Sequence, residues 1–95
     1  MRRNEIHRTI IQYLDKYRPE SIGIFGSFAR NENSEKSDID ILVKFKDTIS
    51  LLDLIKIERE LTNLLGIKVD LVTEPSLKNS RLRNYIMSDL QIIYQ

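Results

Sequence analysis

The stretch GSFARNENSEKSDIDILVKF, residues 26–45, decides how we interpret the fold. It overlaps the end of the apolar run SIGIFG, residues 21–26, which is typical of a short buried strand that ends in glycine. The polar segment NENSEKS, residues 31–37, then leads into DIDILVKF, where apolar residues recur with period two. This alternation predicts a strand with two different faces. One face carries Ile39, Ile41, Val43 and Phe45, and the other carries Asp38, Asp40, Leu42 and Lys44.

Two long helices flank these strands in the sequence. Residues 4–17 have apolar side chains at helical spacing, and Pro19 is predicted to end that helix. Residues 50–66 predict the second helix, with Ser50 at its N-cap and Gly66 at its C-cap. Its predicted apolar stripe consists of Leu51, Leu54, Ile55, Leu61, Leu64 and Leu65.

The rest of the chain completes a sheet. Residues 67–73 alternate again and end before Pro75, residues 79–88 predict a last helix, and QIIY, residues 91–94, predicts an edge strand. This order of elements indicates an α/β or α+β fold with a single mixed β-sheet and helices packed on one face. We expect residues 1–95 to form one domain.

The composition excludes several classes of function. The 95 residues carry a formal net charge of +1, so we expect no direct nucleic-acid binding through bulk electrostatics. Cysteine is absent, which excludes disulfides, thiolate metal sites and a cysteine nucleophile. No stretch approaches the ~20 apolar residues of a membrane span. We therefore expect a soluble cytoplasmic protein without membrane contact.

Carboxylates concentrate on the polar face of the predicted strands. Asp38 and Asp40 point the same way, with Cα atoms roughly 6.5 to 7 Å apart. Asp70 lies in the middle of another strand, where aspartate is a poor strand former. Such a pair is also typical of a solvated strand end. If the two strands are neighbours, however, three carboxylates converge, and hard oxygen ligands of this kind suit Mg²⁺.

A Gly-Ser turn precedes the acidic pair. Gly26 ends the first strand and Ser27 opens a short helix, so backbone N–H groups there can approach an anion closely. Arg30 lies three residues further on, where its guanidinium can meet a phosphate or shield an aspartate. The same residues also fit a simple turn, a helix cap and a surface charge.

These motifs together resemble the minimal nucleotidyltransferases of the DNA polymerase β superfamily. The shared pattern is Gly-Ser, a spacer, Asp-x-Asp preceded by serine, and a third aspartate on a neighbouring strand, and it extends here from Gly23 to Val72. One departure is that Arg30 is followed by Asn31 rather than glycine, and asparagine tolerates the left-handed conformation that glycine would supply.

The resemblance implies a polymerase β-like fold and a set of site residues. Asp38, Asp40 and Asp70 are implied to be catalytic and to bind two Mg²⁺ ions, with Mn²⁺ as a substitute. Asp70 would ligate the metal nearest the acceptor hydroxyl and help to deprotonate it. The implied nucleotide-binding residues, which would hold ATP, are Gly26, Ser27, Arg30 and Ser37.

The same resemblance implies a partner. Stand-alone domains of this kind are similar to the antitoxins of type VII toxin-antitoxin modules, which transfer AMP from ATP to a tyrosine of a HEPN-type ribonuclease toxin. We therefore expect a Mg²⁺-dependent protein adenylyltransferase that forms a hetero-oligomer with such a toxin. The alternative is a non-catalytic, nucleotide-binding antitoxin that neutralises its partner by complex formation.

Other readings of the acidic motif fit less well. In a haloacid-dehalogenase-like phosphatase an apolar strand leads into the acidic pair, whereas here SEKS precedes Asp38. Glycosyltransferases with Asp-x-Asp need a larger nucleotide-sugar domain than this chain allows. His7 is the only histidine, and we expect it to lie on the surface of the first helix without a catalytic role.

Overall fold

The computed structural model describes residues 2–32 and 37–95. Within them the chain forms a four-stranded mixed sheet in the order β3-β2-β1-β4. Strand β1 pairs antiparallel with both β2 and β4, whereas β2 pairs in parallel with β3. The strands are β1 (Pro19–Phe25), β2 (Ile39–Phe45), β3 (Val69–Thr73) and β4 (Gln91–Tyr94). A mixed sheet with helices, and QIIY at its edge, confirms the predicted fold class.

Four α-helices accompany the sheet in the described residues: α1 (Arg3–Leu14), α2 (Gly26–Ala29), α3 (Leu51–Leu65) and α4 (Ser80–Asp89). Helix α1 is shorter than predicted because residues 15–17 form a 3₁₀ turn and Arg18 adopts a left-handed φ of 57°. Within the described part of the chain, no helix combines the length and apolar character that a membrane crossing requires. Most of the predicted polar segment, residues 33–36, lies outside the described residues.

One face of the sheet forms the larger hydrophobic core. The period-two alternation of β2 is confirmed, because Ile39, Ile41 and Val43 are fully buried on this face. Helices α1 and α3 cover them. The core side chains that these helices contribute are Ile6, Ile10, Leu14, Ile57, Leu61 and Leu65. Helices α1 and α3 therefore pack on one face, as predicted.

The predicted stripe of α3 is wrong in half of its members. The helix packs through Ile57, Leu61 and Leu65, at successive intervals of four residues, and Ile57 was absent from the prediction. Apolar residues occur on several sides of this helix, but only one stripe can face the sheet. Three predicted stripe residues are therefore exposed instead: Leu51 (71%), Ile55 (51%) and Leu64 (52%). Both caps are confirmed, since Ser50 Oγ accepts from the Asp53 amide at 3.1 Å and Gly66 has a φ of 69°.

The prediction that all helices share one face also needs correction. Helix α4 packs on the opposite face, where Ile86 joins Phe25 and Leu42 in a second, smaller cluster. Leu90, just after α4, lies over Gly23, where an added Cβ atom would be 2.5 Å from a Leu90 methyl carbon. The side chain of Leu42 was predicted on the polar face, and this apolar residue provides the contact for α4. The carboxylates thus share their sheet face with α4.

Candidate active site

The pairing of β2 with β3 places the acidic residues side by side. Asp40 and Asp70 are direct partners in the parallel register, in the same row as Phe25 of β1. Asp38 precedes Asp40 by two residues, so its side chain lies on the same face of the sheet as that of Asp40. All three side chains are partly buried. The structure therefore brings together the three carboxylates that the sequence singled out.

These carboxylates disfavour each other's charge. The pKa of Asp40 is raised, first by burial and then by the negative charges of Asp70 and Asp38. Burial likewise raises the pKa of Asp70, followed by its hydrogen-bonding contact with Asp38. Lys68 opposes this effect, and its Nζ lies 3.8 Å from Oδ2 of Asp38. The cluster consequently favours either protons or additional cations.

Gly26 lies against this cluster of carboxylates. It begins α2 with a φ of 76°, a conformation that side-chain-bearing residues rarely adopt. A Cβ atom at this position would lie only 2.3 Å from Oδ2 of Asp40. Ser27 follows at the N-terminus of α2 and is half-buried. Gly26 therefore lies directly against the Asp40 carboxylate, and Ser27 is next to it in the chain.

Arg30 is held by acidic partners from two elements. Its Nε donates to Oε2 of Glu32 at 2.9 Å, and its Nη1 contacts Oδ2 of Asp89 in α4 at 2.5 Å. These hydrogen bonds raise the pKa of Arg30. Its positive charge partly opposes the rise in the pKa of Asp40. Asn31 next to it has a φ of 59°, as expected for the residue that replaces glycine.

Ser37 and His7 lie in different places relative to the carboxylate cluster. Ser37 is half-buried immediately before Asp38, so it lies beside the cluster. His7 is half-buried rather than fully exposed, which corrects the predicted surface position, and burial followed by the charge of Arg3 lowers its pKa. Helix α1, which carries His7, packs on the sheet face opposite the carboxylates. His7 is therefore not brought to the site.

Some residues near the site were missed from the sequence. Lys68 pairs with Asp38, and Asp89 pairs with Arg30. The position of Lys68, two residues before Asp70, could have indicated it, because residues at this spacing lie on one face of a strand. Asp89 could not have been found in this way, since its contact depends on where α4 packs.

The donor set fits a hard cation in its chemistry. Carboxylate oxygens are the ligands that Mg²⁺ prefers in proteins, and burial together with neighbouring carboxylates raises the pKa values of Asp40 and Asp70. Within residues 2–32 and 37–95, however, no three acidic, histidine or cysteine side chains already have the arrangement of a metal site.

Fold and site together define a class of enzyme. The pattern of the nucleotidyltransferase domain family matches residues 5–93, and the chain belongs to this family. It is thus a nucleotidyltransferase, and the resemblance to the minimal nucleotidyltransferases is confirmed.

Similar proteins carry more specific names. A Methanocaldococcus jannaschii protein whose name provisionally assigns it as a protein adenylyltransferase is 50% identical over 84 residues, covering 88% of this chain and 84% of that protein. The protein adenylyltransferase MntA of Thermococcus cleftensis is 48% identical over 65 residues, covering 68% of this chain and 66% of that protein.

Solved structures share the fold. A protein provisionally described as a minimal nucleotidyltransferase is 32% identical, with a TM-score of 0.79 over 93% of this chain and 89% of that one. A toxin-antitoxin crystal structure with AMP-PNP has a TM-score of 0.82 at 24% identity, over 93% and 72%. The tri-AMPylated HEPN toxin of Shewanella oneidensis in complex with its MNT antitoxin gives 0.76 at 22% identity, over 96% and 71%. At these low identities the two complexes show a common fold.

Proposed function

We propose that this protein transfers AMP from ATP to a hydroxyl group, most simply a tyrosine, of a HEPN-type ribonuclease toxin, and thereby acts as an antitoxin. The observation that carries the proposal is the convergence of Asp38, Asp40 and Asp70 beside Gly26. Relatives named as protein adenylyltransferases support the type of transfer. The solved complexes that contain AMP-PNP or an AMPylated toxin support the nucleotide and the partner.

The proposed roles follow from where each residue lies. Asp38 and Asp40 would hold Mg²⁺, with Asp70 as a further ligand, and the bound ions would neutralise the triphosphate and the departing pyrophosphate. The amides at Gly26 and Ser27 would orient the triphosphate, because α2 begins there without a side chain that obstructs access. Ser37 is placed to contact a nucleotide bound beside Asp38.

In the reaction, the acceptor oxygen forms a bond to the α-phosphorus while the bond from that phosphorus to the pyrophosphate oxygen breaks. Asp70 would help to deprotonate the acceptor hydroxyl, as a carboxylate that acts as a general base. The toxin would have to bring its own hydroxyl within roughly 3 to 3.5 Å of the phosphorus, because positioning supplies much of the rate in such transfers.

The test is transfer to a toxin under defined conditions. The protein is mixed with a candidate HEPN toxin, ATP and Mg²⁺, and the intact mass of the toxin is followed for increments of one adenylyl group. We expect such increments with wild type and with Asp47→Asn, an exposed matched control, but not with Asp38→Asn. A toxin whose mass stays unchanged with wild type would contradict the proposal.

A binding-only antitoxin is the second candidate. It is supported by the solved complex of an MNT antitoxin with its HEPN toxin, in which the two proteins are bound to each other. Rescue of cells that express the toxin separates the two functions. If Asp38→Asn rescues growth as well as wild type does, neutralisation needs binding alone. If rescue is lost while the complex still forms on a sizing column, transfer is required.

A further inference from the structure

Strand β3 forms one edge of the sheet within the described residues, and Asp70 is its second residue. Its partner strand β2 occupies one side only. The backbone carbonyl of Lys68 points toward β2, since it accepts a hydrogen bond from the Ile39 amide at 2.8 Å. Backbone groups alternate along a parallel strand, so the amides of Val69 and Leu71 point away from β2. Such outward amides of an edge strand need partners.

Helix α3 supplies both partners. Thr62 Oγ1 accepts from the Val69 amide at 3.0 Å, and Glu58 Oε2 accepts from the Leu71 amide at 2.9 Å. Residues 58 and 62 are four apart on the helix and so lie on one face of it, matching amides that are two apart on the strand. Both hydrogen bonds are partly buried. They hold the backbone on each side of Asp70.

The choice of glutamate at this position needs an explanation. Glu58 brings a fourth negative charge close to Asp70, which by itself opposes the clustering of carboxylates. A carboxylate is, however, a stronger acceptor for a backbone amide than a neutral group is. Repulsion among Asp38, Asp40 and Asp70 would favour moving the edge strand away from β2, and the hydrogen bond that Glu58 accepts from the Leu71 amide would oppose that movement.

We propose that Glu58 and Thr62 are positioning residues, which fix β3 through the amides of Leu71 and Val69 and so set the place of Asp70 relative to Asp38 and Asp40. Neither side chain needs to touch the nucleotide or the acceptor. The inference rests on the proposed function for its kinetic consequence, but the arrangement itself can be tested without any transfer.

The cleanest test compares Thr62→Val, which removes the acceptor oxygen at nearly constant volume, with Thr62→Ser, which keeps it. We expect Thr62→Val to lower kcat for AMP transfer about 10-fold with little change in KM for ATP, as for residues that orient metal ligands. Thr62→Ser should retain most of the rate. Glu58→Ala and Glu58→Gln form the parallel pair, in which the glutamine keeps an oxygen acceptor. Asn63→Ala, exposed on the same helix, serves as the control.

Two measurements separate positioning from a merely structural role. Amide hydrogen exchange should accelerate at Val69 in Thr62→Val and at Leu71 in Glu58→Ala, and unchanged exchange at both would overturn the proposal. Accelerated exchange with unchanged kcat would also overturn it, because the bonds would then only protect the sheet edge. If wild type itself transfers no AMP, the proposed function fails, and the ¹³C shift of the Asp70 carboxyl decides instead. A shift that moves in Thr62→Val but not in Thr62→Ser supports positioning, and one that moves in neither overturns it.

Discussion

Gly26 and Asp40 lie so close together that residue 26 has no room for a side chain. The Asp40 Oδ2 atom lies where a side chain at residue 26 would begin, because an added Cβ would be 2.3 Å away. Residue 25, just before this turn, pairs with Asp40 across the β1–β2 ladder. The turn that is proposed to bind the triphosphate and the strand that carries the acids are therefore fixed to one another.

Gly26→Ala should harm both stability and transfer. Its left-handed backbone, with a φ of 76°, makes any side chain unfavourable by about 1 kcal/mol or more, and the clash with Asp40 adds to this. Gly66→Ala is the matched control, because its φ is 69° but no atom lies within 4 Å of an added Cβ. We expect both variants to melt at lower temperature, and only Gly26→Ala to lose transfer. Equal activity of the two variants would show that the contact with Asp40 is unimportant.

Asp40→Asn should stabilise the protein in the absence of metal. The pKa of Asp40 is raised in the folded state by burial and by Asp70 and Asp38, so the folded protein binds this proton more tightly than the unfolded chain does. The charge therefore lowers the free energy of unfolding as pH rises from the unfolded pKa of about 3.9 through the folded value. The neutral amide of Asp40→Asn removes this unfavourable charge, so the gain in stability is expected at neutral pH and not at strongly acidic pH.

Denaturant unfolding at several pH values checks this. The stability difference between Asp40→Asn and wild type should grow from acid to neutral pH and then level off. Asp47→Asn, which removes an exposed aspartate in a weak ion pair, should show no comparable trend. A difference that shrinks with rising pH would mean that Asp40 is stabilised as an anion, contrary to its surroundings.

Magnesium should raise the melting temperature of wild type, and more so together with ATP. A cation relieves the repulsion among the three carboxylates, and a ligand that binds only the folded state stabilises it by mass action, by about 2.7 kcal/mol at one hundred times its Kd. Thermal melts with Mg²⁺ and a non-hydrolysable ATP analogue measure this. The same additions to Asp38→Asn should produce a much smaller shift. No shift at millimolar Mg²⁺ in wild type would count against a metal at this site.

The acids should differ in what they contribute. Asp38→Asn is expected to reduce both ATP affinity and turnover, and to reduce turnover at least ~100-fold. Removing a metal ligand should lower the rate more than removing a residue that only orients such a ligand. Asp70→Asn should lower turnover while sparing ATP affinity, since its proposed role concerns the acceptor. Calorimetric ATP titrations and single-turnover rates separate these effects. Equal losses of affinity in both variants would refute the division.

Arg30 offers a test of whether a nucleotide and helix α4 compete for its guanidinium group. It is paired with Asp89 and Glu32, so a triphosphate could gain its guanidinium only in exchange for one of them. If Arg30 binds ATP, Asp89→Asn should tighten nucleotide binding by removing a competitor, whereas Arg30→Gln should weaken it. If Arg30 only anchors α4, both variants should lower the melting temperature and leave ATP affinity unchanged. Arg18→Gln, in an exposed ion pair, is the control.

Local patterns in the sequence were enough to determine several features. The alternation of β2 and the caps of α3 at Ser50 and Gly66 each depend on neighbours only a few positions away. The shared side of Asp38 and Asp40 follows in the same way from period two. These features need no knowledge of the rest of the chain.

Only the tertiary structure determined which elements these residues contact. Asp70 reaches Asp40 because β3 returns parallel to β2, and the α3 stripe is chosen by the sheet rather than by its leucines. Helix α4 crosses to the acidic face because Leu42 offers it an apolar contact there. Periodicity indicates which residues of an element share a face, but not which other element packs against that face. That choice is made by the competition of all apolar surfaces for burial, which involves residues far apart in the chain.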